Sequence, residues 1–453
     1  MNLFLSQQHS LRRRLEEGWK QGGYGEGSPS LSDEELYSLL REPCSRMLRQ
    51  KFTLQELASW RDPAQGERIR RAMELFVEDF LASYRDDQGR KPEVTMGQRR
   101  RVVDRLVSAC LGYGPLERFF SDPMVMEVVV VRWDNVWLER GGERIRLPKE
   151  ECFESEEHCR AVLERMLEGS GRQIDLANPR VDARLPDGSR LKAHIPPVAV
   201  DGTTITVRRF RKDITGEKLV ELGTVSRELL HWLGECVRGR LNIVVSGGTA
   251  SGKTTLCNVL AGFIPKHEWL VTIEDPAELQ FDHPCVRRLE ARPPNTEGKG
   301  EVTMLALLMD ALRMHPDRII VGEVRGPEAF LAINAMNTGH DGSLLTLHAN
   351  SVRDALARMV NMVLMADTGL PYEAIVEQIR SALDLVVHVE QDREFRRRIV
   401  EVAEVLGSDA GSPGEFLLQP LWKFDRGSGT WQRVGSLTEA VRSRLARWGV
   451  NVE

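Results

Sequence analysis

The segment that most restricts how this chain folds is Asn242 to Thr255, NIVVSGGTASGKTT. A short apolar run leads straight into glycines, hydroxyls and a lysine. Residues Gly247, Gly248, Thr249, Ala250, Ser251, Gly252, Lys253 and Thr254 fit G-x-x-x-x-G-K-[ST], and Thr255 continues the stretch. The pattern gains meaning because a predicted strand precedes it and a predicted helix follows. In that setting glycines let backbone N–H groups converge on phosphate oxygens, Lys253 brings a cation to the β and γ phosphates, and Thr254 offers a hydroxyl to Mg²⁺. The plainer alternative is a glycine-rich turn that caps a helix. Ala250 stands out among the glycines, and the pattern accommodates it if its φ is negative.

A strand feeding a phosphate loop implies more strands beside it. After residue 216 the chain alternates strand and helix patterns: LNIVVSG, a helix from Lys253, WLVTIED, a helix over Met304 to Met314, RIIVGE, a helix from Glu328, and SLLTLHAN. That order predicts an α/β domain with a mostly parallel sheet over 216–453. Upstream, VMEVVVVRW, VWLERGG, a helix in CRAVLERMLEGSG and a fold-back at PDGS predict an α+β domain over 111–215. Residues 33–110 read as a small helical module, opened by capping-box spacing between Ser32 and Glu35 and continued by Ile69, Met73, Phe76 and Phe80. Residues 1–32, rich in Gly and Ser towards their end, read as a flexible segment and linker. The run REFRRR, Arg393 to Arg398, reads as a solvated turn between strands ahead of a binding patch.

Composition narrows the partners. With 62 Lys+Arg against 67 Asp+Glu the net charge is −5, so no basic excess advertises nucleic acid, and no direct nucleic-acid contact is expected. Seven widely spaced cysteines without a CxxC pair point to a reducing cytoplasm. No apolar run approaches the ~18 residues of a membrane span, and the basic cluster near the start follows the apolar residues, the reverse of a signal peptide.

Phosphate chemistry needs further groups. RIIVGEVRG is an apolar strand that delivers Glu323 to the edge of a nucleotide site, where it suits the surroundings of a magnesium ion; an ordinary strand-end acid is the alternative. LVTIEDPAEL offers Glu274, Asp275 and Glu278, one of which suits the deprotonation of an attacking water, and the pattern does not choose among them. In NTGHDGSLLTLHANS, His340 and His348 read as sensors of the γ-phosphate or its water, as structural histidines, or as metal ligands without a third partner.

These four elements, GGTASGKT, TIEDPAE, IIVGEVRG and TGHDGSLLTLHAN, resemble in order the phosphate loop, Asp box, Walker B and His box of the type II/type IV secretion and pilus-assembly ATPase superfamily. The flanking RPPNTEGKGEVT and ALRMHPDRIIVGEVRG resemble the CpaF/TadA branch of Tad (Flp) pili, and the likeness runs over roughly residues 100–405. It implies a RecA-like P-loop NTPase domain, ATP and Mg²⁺ as cofactors, a homo-hexameric ring, and an inner-membrane platform protein as partner at the inner face of the cell membrane. It further implies that Glu278 polarises the lytic water, Glu274 and Asp275 support the nucleotide, and Glu323 serves Mg²⁺ and water. His340 and His348 would couple phosphate state to domain position. Arg190 and Arg208, with Arg184 and Arg209 beside them, would reach the phosphates. Pro276 departs from the Tad branch, VVRWDN replaces a more usual Asn-Gly turn, and the tetracysteine module of some type II motors is absent. None of these removes a catalytic group.

Overall fold

The structure is a computed structural model that describes residues 31–53, 56–57, 59–86, 89–168, 170–209, 214–294, 298–407 and 414–452. The opening segment and nearly all of the expected linker therefore lie outside the described residues. Packing groups the chain into two compact units, Met1–Leu138 with Ile145–Val181 and Ala193–Thr206, and Glu139–Arg144 with Asp182–Lys192 and Val207–Glu453.

In the first unit α1 (Asp33–Lys51), α2 (Pro63–Ser83) and α3 (Met96–Cys110) bury Leu36, Leu40 and Leu48 against Ile69, Met73 and Val77 and against Val102, Val103 and Leu106. The capping box at the start of α1 is formed: Ser32 Oγ accepts from Glu35 N, and Glu35 Oε2 accepts from Ser32 N at 2.9 Å. Thr95 and Gln98 repeat the arrangement at α3. A six-stranded sheet, of which residues 139–140, 143–144, 182–184, 190–192 and 207–208 are counted with the second unit, runs β3-β2-β1-β6-β5-β4, its strands being β1 (Val125–Arg132), β2 (Asn135–Arg140), β3 (Glu143–Arg146), β4 (Arg180–Arg184), β5 (Arg190–His194) and β6 (Thr204–Arg208). The helix α4 (Glu156–Leu167) lies between β3 and β4 in sequence and buries Cys159, Val162, Leu163 and Met166.

The second unit holds α5 (Arg227–Arg238), β7 (Ile243–Gly247), α6 (Lys253–Ala261), β8 (Leu270–Glu274), β9 (Val286–Glu290), α7 (Met304–Ala311), β10 (Arg318–Val321), α8 (Glu328–Asn337), β11 (Leu344–His348), α9 (Val352–Leu364), α10 (Tyr372–Ala382), β12 (Leu385–Gln391), β13 (Arg397–Val405), β14 (Leu418–Asp425), β15 (Thr430–Arg433) and α11 (Glu439–Arg447). They build a nine-stranded sheet of order β15-β14-β13-β12-β7-β11-β10-β8-β9. From β12 to β9 every pairing is parallel, and β13 to β15 add an antiparallel extension. The segment β12-β7-β11-β10-β8 has the strand order of a RecA-like P-loop domain.

A parallel sheet covered on both faces needs continuous apolar strands. In β7, Ile243 and Val245 enter one core with Leu229, Leu233 and Leu260, while Val244 enters the other with Ile333, Met359 and Val360. Asn242 fixes the register where β7 begins: its Oδ1 accepts from Gly342 N and Ser343 N at 2.8 and 3.0 Å, its Nδ2 donates to Ala382 O, and its N–H donates to Asp384 Oδ2. No helix among the described residues is long and apolar enough to cross a membrane.

Candidate active site

The strand order brings the C-terminal ends of β7, β8, β10 and β11 side by side, the edge at which an open α/β sheet takes its ligands. Each of the four sequence elements ends there. The loop after β7 begins at Gly247, where a Cβ would stand 2.3 Å from Val389 O and 2.5 Å from Ser251 Oγ, so only glycine fits. Ser251 Oγ donates to Gly248 O at 2.9 Å, closing the loop over Gly248, Thr249 and Ala250. Gly252 caps α6 at φ +94°, and Lys253, Thr254 and Thr255 form the first turn of that helix, where backbone N–H groups lack intrahelical acceptors.

Ala250 differs from expectation. Its φ is +60°, in the left-handed region, not negative. The loop reverses direction at this residue, and the conformation costs an L-residue about 1–2 kcal/mol. A hydrogen bond from Arg397 Nε to Ala250 O, 2.8 Å long, holds it there.

Lys253 is 7% exposed, and its ammonium donates to Gly248 O at 2.8 Å. Burial pushes its pKa down to about 8; the charges of Arg208 and Arg325 push the same way, while Glu323 and Glu278 oppose them. The ring nitrogens of His348 lie 3.4 and 3.5 Å from Lys253 Nζ, and His348 Nε2 lies 3.0 Å from Glu323 Oε1. Burial and the Lys253 charge lower the His348 pKa, so the neutral ring prevails at pH 7. Glu323 is half-buried, which by itself would raise its pKa, yet the Arg325 guanidinium on its Oε2 at 2.6 Å and the nearby His348 and Lys253 hold it below the usual carboxylate range.

The acids of the Asp box separate by environment. Glu274, 1% exposed at the end of β8, has its pKa pushed up to about 7 by burial, against the pull of two backbone N–H groups: its Oε1 accepts from Leu279 N and Glu278 N, both at 2.8 Å. Gly322 passes beside it, since a Cβ there would stand 2.7 Å from Glu274 Cγ. Glu274 thus holds the backbone that presents Glu278. Burial raises the Glu278 pKa, Arg208 and Arg190 lower it, Glu323 raises it further, and the nearby Thr254 hydroxyl lowers it. Asp275 is exposed. A carboxylate of raised pKa at this strand edge suits general-base chemistry.

Arg208 acts on this site by charge, on both Lys253 and Glu278. Arg190 is bound to Asp182, with Nη2 to Oδ2 at 3.0 Å, while its charge also bears on Asp275 and Glu278. Arg184 pairs with Glu290 at 2.7 Å. His340 is tied to the end of α8, N–H and Nδ1 both to Ala335 O at 3.2 and 3.3 Å; among the described residues it makes no hydrogen bond or ion pair with Lys253, Glu278 or Glu323.

Mg²⁺ is characteristically held by one or two protein groups plus substrate phosphates. The residues present fit that demand: the Thr254 hydroxyl heads α6, Glu323 Oε1 is a buried oxygen 3.0 Å from His348 Nε2, and Glu274 Oε2 is a buried oxygen without a hydrogen-bond partner among the described residues.

Two residues of the site escaped the sequence reading. Arg325, inside GEVRG, grips Glu323. Arg397 belongs to the run read as a solvated turn. The turn is there, with Asp392 accepting from Arg396 and Arg398, but alternation along β13 sends the intervening Arg397 to the phosphate loop. Period-two spacing in RRR was the available signal.

Residues 110–407 match the Type II/IV secretion system protein family. A putative conjugal transfer protein of Mycobacterium tuberculosis is 36% identical over 344 residues, covering 74% of this chain and 94% of that protein. Protein VirB11 of Agrobacterium fabrum is 30% identical over 336 residues, covering 66% of this chain and 94% of its own. Among solved structures, the VirB11 ATPase from the Brucella suis type IV secretion system, crystallised in complex with sulphate, is 30% identical and covers 64% of this chain and 95% of that one, with a TM-score of 0.35. With the matched region reaching from the six-stranded sheet through all four strand-end elements, this chain belongs to the type II/IV secretion system protein family.

Proposed function

We propose that the chain is the ATP-hydrolysing motor of a type II/IV secretion machine of the CpaF/TadA-like, Tad-pilus kind. In this reading it works as a homo-hexameric ring against a platform protein at the inner face of the cell membrane. The observation that carries the proposal is the convergence of Lys253, Thr254, Glu278 and Glu323 at one edge of a parallel sheet. An ATP polyphosphate on the loop restores the full charge of Lys253. Mg²⁺, when bound, neutralises phosphate charge, with Thr254 and Glu323 as the residues that would hold it. Glu278 takes the proton of the attacking water, and Glu274 keeps the Glu278 backbone in place. Arg208 and Arg190 supply positive charge for the γ-phosphate, the latter after leaving Asp182. His348, between Lys253 and Glu323, reports whether the γ-phosphate is present, and with His340 couples that state to domain position.

A second reading, export of effectors or DNA by a type IV secretion ATPase, is favoured by the relatives named for conjugal transfer and as VirB11. The same site serves both. A scaffold that binds nucleotide without turnover fits less well, because it has no use for a half-buried carboxylate of raised pKa beside the phosphate loop. In a ring each site depends on its neighbour, so phosphate release per chain should rise with protein concentration and level off. Specific activity that stays flat down to the monomer would contradict the ring. A pilin gene and a platform-protein gene beside this one support the pilus reading; conjugation genes support the second.

A further inference from the structure

Arg397 opens β13 between two arginines that bind Asp392, and it alone of the three turns to the phosphate loop. Its Nε donates to Ala250 O at 2.8 Å, and its Cδ stands 3.2 Å from the place of a Cβ on Gly252. The residue it grips sits at φ +60°, where a Cβ is disfavoured. An alanine loop left to itself prefers other conformations; a glycine at the same position reaches this one freely.

We propose that Arg397 is a positioning residue of the nucleotide site: by binding the Ala250 carbonyl it keeps the loop in the left-handed turn that receives phosphate. The proposal rests on the nucleotide-binding reading. Arg397 and Ala250, 147 residues apart, act as one unit. Without the arginine the competent fraction of an alanine loop drops, and apparent affinity drops in proportion. A loop with glycine there is mostly competent either way and loses little.

The test is the affinity of the full chain for ADP, by calorimetry, in wild type, Arg397→Ala, Ala250→Gly, the double variant, and Arg396→Ala as a control on the neighbouring turn. Thermal midpoints without nucleotide establish that each variant folds. Arg397→Ala should weaken ADP binding about tenfold in the natural loop and about twofold in the Ala250→Gly background, while Arg396→Ala binds as wild type. An equal loss in both backgrounds, no loss in either, or an equal loss in Arg396→Ala overturns the proposal and leaves the nucleotide reading intact. Wild type that binds no ADP overturns both.

Discussion

The helical module of α1 to α3 and the strand-end site handle charge in opposite ways. On the helices the charges answer one another at the surface: Arg101 pairs with Asp33, Arg105 with Glu34, Arg70 with Asp104 and Arg99 with Glu78. At the ends of β7, β8, β10 and β11 the charged groups are drawn inward. Lys253 is depressed to about 8, Glu274 is raised to about 7, and the buried Glu274 Oε2 has no hydrogen-bond partner among the described residues. Exposed pairs add little to stability and are screened by salt. Buried charges cost stability and are kept where chemistry uses them. The contrast teaches where function resides more directly than any count of charges, which is nearly balanced over the whole chain.

The comparison is tested first at its strongest point. Lys253→Ala removes the buried cation, and both ATP affinity and turnover should fall by about 10³-fold while the thermal midpoint without nucleotide holds. Wild-type turnover in this variant would end the phosphate-loop reading. Next come Arg208→Ala and Arg190→Ala, whose charges bear on Glu278. Each should lower kcat by about 10-fold to 10²-fold and alter ADP affinity much less, because the charge is needed chiefly as the phosphate charge shifts. Equal losses in affinity and kcat would reassign them to binding alone.

A smaller effect follows from the Lys253 pKa of about 8. Below that pH the lysine is charged with or without nucleotide, and affinity is flat. Above it the free protein loses the proton while the phosphate-bound form retains it. Nucleotide binding then takes up a proton, and affinity should fall by up to about tenfold per pH unit. Calorimetry in buffers of different ionisation enthalpy reads the uptake; none at pH 9 would contradict the burial argument. The smallest effect belongs to the helices. Arg101→Ala should leave the thermal midpoint within about 1 °C of wild type, since an exposed pair contributes little. A large drop would place that surface pair among the groups that hold the module together.

How much of this was legible depends on how local the cause is. The phosphate loop, with strand, glycines and helix contiguous from Asn242 onward, could be read directly. So could the start of α1, whose cap spans only Ser32 to Glu35. The division of labour between Glu274 and Glu278 could not be read from the residues alone, because it comes from the chain doubling back so that the N–H groups of Glu278 and Leu279 meet the Glu274 carboxylate. The positive φ of Ala250 is not legible locally for the same kind of reason: its anchor, Arg397, arrives from a strand 147 residues later. The parallel character of the sheet followed from alternating elements, whereas its strand order is a matter of long-range packing that no local pattern encodes.

The central claim is that Glu278 does the chemistry and Glu274 holds it in place. It is tested most directly by steady phosphate release and ATP affinity measured together in Glu278→Gln and Glu274→Gln. Glutamine keeps the shape and loses the anionic acceptor, so Glu278→Gln should bind ATP as wild type does and hydrolyse it at least ~10²-fold more slowly, while Glu274→Gln retains measurable turnover. An active Glu278→Gln beside a dead Glu274→Gln would contradict the account.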